Sequence, residues 1–105
     1  MIIRTWRAKS SKNQENEYLA TVRRVVLPRF EQIPGYLGSL FLRRLTQDKS
    51  DYLVLTCWES IEHVKNFFGP DIGVAYVPPP IQETLDEFDQ TADHFDVVIR
   101  HGNKL

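Results

Sequence analysis

Residues 36–58 read YLGSLFLRRLTQDKSDYLVLTCW. Two β-rich runs, Tyr36–Leu45 and Tyr52–Trp58, flank a polar segment, Thr46–Asp51. That is the pattern of an antiparallel hairpin, with the turn type left open because no Asn-Gly pair is present. Side chains alternate between the two faces of a strand. In the second run Leu53, Leu55 and Cys57 therefore share one face, while Tyr52, Val54 and Trp58 share the other. The first run sets Phe41 and Leu45 against Leu40 and Leu42 in the same way. Both faces are apolar, so the sheet needs two covers.

Upstream of the hairpin, Met1–Ala8 reads as a strand with Ile2, Arg4, Trp6 and Ala8 on one face. Ser11 and Gln14 have the spacing of a capping box. The helix they would open carries Tyr18/Leu19, Val22, Val25/Val26, Phe30 and Ile33, a stripe of 3.6-residue period. Pro28 removes a backbone donor inside that stripe and predicts a kink or an early break. Pro34-Gly35 ends the element. Downstream, Ser60 is placed to cap a second helix with Ile61, Val64 and Phe67/Phe68 on its apolar face, stopped by Gly69-Pro70. The proline-rich stretch Asp71–Pro80 predicts a surface loop with at most one helical turn. Ile81, Leu85, Phe88 and Ala92 keep helical spacing, and His94–Arg100 reads as the last strand.

The order is β-α-β-β-α-(short helix)-β, an α+β fold of the ferredoxin-like, split βαβ type with an antiparallel sheet, in one domain over 1–105. Both helices of that architecture lie on one face of the sheet. The most economical cover for the second apolar face is another copy of the same sheet, which predicts a homodimer closed into a barrel-like core.

Composition excludes several functions. Across 105 residues, 13 Lys+Arg balance 14 Asp+Glu for a formal charge of −1, so no basic excess points to a nucleic acid or a membrane surface. A single cysteine, Cys57, rules out a disulfide framework or a cysteine-built zinc site. No apolar run approaches about 18 residues, and Arg4 and Arg7 interrupt the place of a signal peptide, which predicts a cytoplasmic protein. Glycine-rich phosphate loops, H-E-x-x-H, C-x-x-C and G-x-S-x-G are absent. His63, His94 and His101 fall at no metal-ligand spacing, so no metal is expected. Asp51–Trp58 does not match the aromatic signature of an RNA-recognition motif.

What remains is a set of aromatic and polar side chains: Trp6, Trp58, Phe67, Phe68, Tyr76, Arg4 and His94. At core spacing the aromatics read first as core. They also suit a cleft wall where sheet and helices diverge. A buried Arg4 would need an acid or a ligand oxygen as partner.

The ordered series Ile3-Arg4-Thr5-Trp6-Arg7, Pro34-Gly35-Tyr36-Leu37-Gly38, Leu42-Arg43-Arg44, Thr56-Cys57-Trp58-Glu59-Ser60, Phe67-Phe68-Gly69-Pro70-Asp71, Ala75-Tyr76 and His94-Phe95-Asp96-Val97-Val98 resembles the antibiotic biosynthesis monooxygenase-like family of dimeric α+β barrels. The resemblance spans nearly the whole chain. It implies a dimer with a cavity between each sheet and its helices, and oxidation of electron-rich aromatic or quinol-like substrates without metal or flavin. On that basis Trp6, Trp58, Phe67 and Tyr76 become substrate-binding walls and Arg4 or Arg44 oxyanion partners. His94 becomes the proton acceptor, since histidine alone titrates near neutrality unperturbed. Tyr76-Val77-Pro78-Pro79 departs from the family's Tyr-Tyr-Pro-Glu, and Tyr36 stands where an Asn is usual. Two alternatives stand beside this one. The first is a non-catalytic dimeric module for a hydrophobic metabolite or for stress regulation. The second is a haem-degrading relative, whose Trp and His positions fall on Phe67 and near Tyr76 or Val77, leaving Tyr76 as an unusual iron ligand.

Overall fold

The computed structural model describes residues 1–104. In chain order the elements are β1 (Ile2–Ser11), α1 (Glu15–Thr21), a π-helical stretch (Val22–Val26), α2 (Leu27–Phe30), β2 (Tyr36–Leu45), β3 (Lys49–Trp58), α3 (Ile61–Phe68), α4 (Pro79–Gln82), β4 (Glu87–Phe88) and β5 (Asp93–Asp96). The strands form one sheet, every pair antiparallel, with β1 between β3 on one side and β4 and β5 on the other. β2 lies beyond β3 at the edge. This is the ferredoxin-like α+β architecture expected from the element order.

Burial alternates strictly along β3. Ser50, Tyr52, Val54, Thr56 and Trp58 are buried under the helices, and the residues between them are half-buried on the outer face. The helical stripe supplies the cover: Tyr18, Val22, Val26 and Phe30 pack with Ala8, Tyr52 and Ile81 as one core cluster. A second, smaller cluster joins Ile2, Trp58 and Val64 beneath α3.

Several local expectations are corrected. Ser11 makes no capping bond; a 3₁₀ turn, Lys12–Gln14, carries β1 into α1 instead. The strand runs on to Ser11 because β3 begins at Lys49 and offers ladder partners to Ser10 and Ser11. The turn between β2 and β3 shrinks accordingly, held by Thr46, whose N–H and hydroxyl both donate to the Lys49 carbonyl. The helical rod is not broken at Pro28. The wider π stretch just before it relieves the clash between the proline ring and the carbonyl one turn back, and α2 continues to Phe30.

After the single turn of α4 the expected helix through Phe88 and Ala92 does not form. The open edge of β1 offers backbone acceptors, and Asp86 N–H and Asp89 N–H donate to the carbonyls of Lys9 and Arg7, which makes Glu87–Phe88 a short strand. β5 is also shorter than the expected His94–Arg100. Asp96 already lies opposite Ile2, and Val97 N–H donates to Met1, the last available carbonyl. Beyond that point β1 has ended, and Val98 and Ile99 are 87% and 84% exposed.

The outer face carries rows of apolar side chains: Phe95, Ile3 and Cys57, then Leu55 with Leu40, then Leu53 with Leu42. Leu40 and Phe95 are 52% and 58% exposed, so nothing among the described residues covers them.

Candidate active site

Arg4 sits mid-strand on the inner face of β1. Its cross-strand neighbours are His94 on β5 and Thr56 on β3, and Ser39 on β2 extends the row. A polar row thus crosses an otherwise apolar face. The Arg4 side chain is only 5% exposed. Its Nη1 donates to the Ile72 carbonyl at 2.7 Å and to His94 Nε2 at 3.0 Å, and its Nη2 donates to the Val74 carbonyl at 2.8 Å. One face of the guanidinium lies over the Phe68 ring, 3.8 Å from its centroid. All of these partners are neutral. Among the described residues no carboxylate lies within ion-pair distance of Arg4.

Burial lowers the Arg4 pKa to about 10, so the group is still a cation at neutral pH. Burial also depresses His94, and the charge of Arg4 adds to that effect against a weaker pull from Asp93. Because a guanidinium only donates, His94 must present an unprotonated Nε2 to it. The imidazole is neutral and its lone pair is engaged.

Arg4 also forms part of the wall of a cavity between sheet and helices. The rest of the wall is Trp6, Phe41, Val54 and Thr56 from the sheet, Tyr18, Val22, Val26 and Phe30 from the helical rod, and Phe68, Tyr76, Pro78 and Ile81 from α3 and the segment after it. The volume is about 60 Å³. Among the described residues Arg4 is the only charged one in this wall. The Tyr18 hydroxyl is buried with no hydrogen-bond partner among the described residues, and its ring stacks on Tyr52 at 4.3 Å.

The expected site residues separate into three groups. Arg4, Trp6 and Tyr76 reach the cavity wall, with Trp6 anchored by its indole N–H on the Asp89 carbonyl at 2.8 Å. His94, Trp58 and Phe67 stand behind it. His94 is reached only through Arg4, Trp58 is fully buried with its indole N–H on Thr56 Oγ1, and Phe67 packs edge-on against Phe30 and Tyr76. Arg44 does not join them, because its position in β2 points it to the outer face, where it pairs with Asp51 at 3.3 Å. Sequence reasoning did not single out Tyr18 or Thr56. Thr56 was visible as the one polar residue in the inward-facing alternation Tyr52, Val54, Thr56, Trp58, whereas nothing marked the unpaired hydroxyl of Tyr18.

A larger groove of about 540 Å³ opens on the outer face, walled by Arg7, Lys9, Leu42, Arg44, Asp51 and Glu87, among others. It adjoins the uncovered apolar rows, and its charges are of mixed sign, with Arg44 paired to Asp51. The inner cavity is the better candidate, because a buried cation without a counter-ion is built into it. Among the described residues no group of His, Cys, Asp and Glu is arranged to hold a metal ion.

Solved structures share this architecture. A Bacillus cereus protein provisionally assigned as an antibiotic biosynthesis monooxygenase superposes with a TM-score of 0.65 at 15% identity, covering 97% of each chain. The chain has the antibiotic biosynthesis monooxygenase-like fold. MhuD, a haem-degrader from Mycobacterium tuberculosis solved with two haems in its active site, matches at a TM-score of 0.61 and 23% identity over 97% of this chain and all of its own. SnoaB, a cofactor-independent oxygenase from Streptomyces nogalater, matches at 0.59 and 13% identity over 99% and 98%. No protein-family model and no curated protein matches the sequence. A haem does not fit the cavity described here: sites for ligands of that size run to several hundred Å³, and the nearest imidazole nitrogen is taken by Arg4.

Proposed function

We propose that this protein is a homodimeric, cofactor-independent oxygenase of a small aromatic, quinol-like substrate. The observation that carries the reading is the buried Arg4 guanidinium, without a carboxylate, in a cavity walled by aromatic rings. Two functionally different proteins of the same fold, an oxygenase and a haem-degrader, support it from outside. Electron donor and acceptor in such a reaction are the ionised substrate and dioxygen. The protein's share is therefore to orient the ring, exclude water and hold negative charge, and the aromatic wall with its buried cation is suited to each. Trp6, Phe68 and Tyr76 offer stacking and edge contacts, and Arg4 offers a fixed positive charge in a dry site. His94 takes a substrate proton only after Arg4 releases its Nε2.

The second reading, a non-catalytic binding module, is favoured by that last point: the one imidazole near the cavity has its lone pair already engaged. Oxygen uptake with a panel of single-ring hydroquinones separates the two. The oxygenase reading predicts turnover that falls by about 10²-fold or more in His94→Ala, the scale of a lost general base. Absence of uptake across the panel, with ligands still stabilising the fold, overturns catalysis and leaves the binding module. The second copy covers the apolar rows of the outer face, whose central members are Leu40, Leu55, Leu53 and Leu42.

A further inference from the structure

We propose that the ligand of the inner cavity is a single-ring aromatic acid whose ionised carboxylate binds the free edge of Arg4. The proposal rests on the inner cavity being the ligand site, which both readings above share, and it names the ligand's charge and size.

The charge follows from the hydrogen-bond inventory. Of the five N–H groups of a guanidinium, Nη1 spends both of its own on Ile72 and His94, and Nη2 spends one on Val74. Nε–H and the second Nη2 hydrogen find no partner among the described residues. A guanidinium that keeps donors to spare is a partner suited to a carboxylate. The hydroxyls of Tyr18, which is without a partner among the described residues, and of Thr56, which accepts from Trp58 Nε1, each have a proton to give to the oxygens of such a group. The wall contains no acid and no free base, because the His94 lone pair is engaged. A ligand that is already ionised gains the most from such a wall, whose donors then meet a full negative charge. At neutral pH that describes a carboxylic acid, with a pKa of about 4, and not a phenol at about 10.

The size follows from the volume. At about 60 Å³ the cavity lies below the roughly 150 Å³ of a cavity that admits benzene, so one ring is its upper limit. Fused polycyclic substrates exceed it. The rings of Phe30, Phe41, Phe68 and Tyr76 form walls suited to a flat, apolar body.

Calorimetry and thermal shift with benzoate, benzamide and anthracene-9-carboxylate test both parts on the unmodified protein. Benzoate is expected to bind about 10- to 100-fold more tightly than benzamide, the range of a charge-assisted pair, and more tightly than the fused acid. Arg4→Gln is expected to abolish the preference for benzoate over benzamide. If Arg4→Gln fails to fold, the wild-type panel decides alone. Equal binding of benzamide, tighter binding of anthracene-9-carboxylate, or no binding of benzoate each overturns the proposal. Oxygen uptake with hydroquinone keeps the two claims apart. Uptake without benzoate binding or inhibition sinks the acid and leaves the oxygenase, while Arg4-dependent benzoate binding without uptake by any quinol does the reverse.

Discussion

A buried cation with only neutral partners costs several kcal/mol of lost hydration, and at Arg4 that cost is met by three hydrogen bonds and the face of Phe68. His94 is tied to this arrangement, and its linkage has a definite sign. Its folded pKa lies below the ordinary value of 6.5, so the unfolded chain binds the proton more readily. The stability this contributes is fully present above about pH 6.5 and is lost as the pH falls through the lower folded value. Urea denaturation at a series of pH values should show stability declining below pH 6.5. His94→Gln, which keeps an acceptor for Arg4 but does not titrate, should flatten that part of the profile. An unchanged profile would remove His94 from the account. That Arg4 is special was legible in the sequence, since it shares an inward face with Ile2 and Ala8. That His94 is its partner was not, because the two lie 90 residues apart and meet only through the β1–β5 register.

Three features set by local signals came out as read, although the capping box at Ser11 did not. Ser60 caps α3 by accepting from His63 N–H, β2 spans Tyr36–Leu45, and the stripe from Tyr18 to Phe30 is buried. The join between the helical rod and β2 is the tightest of these local solutions. Gly35 has φ of +87°, and a Cβ there would stand 2.3 Å from the His63 ring. Gly35→Ala is therefore expected to destabilise the fold by about 2 kcal/mol or more, through strain and collision together, as read from the shift in urea midpoint. A loss under about 0.5 kcal/mol would mean that the turn and α3 are free to move apart. Elements at the other edge of β1 were misread because their structure is set by acceptors on a distant strand. Phe88 has good helical spacing with Leu85 and Ala92, yet the carbonyls of Arg7 and Lys9 draw its segment into the sheet.

At the scale of the molecule, the outer face of the sheet remains the largest unmet demand. With Leu40 and Phe95 about half exposed at the margins of the apolar rows, a second copy is the expected cover. Sedimentation equilibrium at micromolar concentration should give a dimer for the wild type and a monomer for Leu40→Lys combined with Leu55→Lys, since two buried, unpaired ammonium groups from each copy are too costly for an interface. A monomeric wild type under those conditions would remove both the dimer and the barrel. Leu40, Leu42, Leu53 and Leu55 declared this face in sequence, because alternation is a property of each strand by itself. The element order, the inward and outward sides of β1, β2 and β3, and the apolar character of both sheet faces were likewise determined by the sequence, through periodicities that need no distant partner. Only the tertiary structure decided where the ladders stop, that Arg44 points away from the cavity, and that Arg4, His94, Phe68 and the carbonyls of Ile72 and Val74 converge. Each of those depends on which hydrogen-bonding groups a neighbouring strand or loop presents at a given register, and residues far apart in the chain share no local pattern that records it.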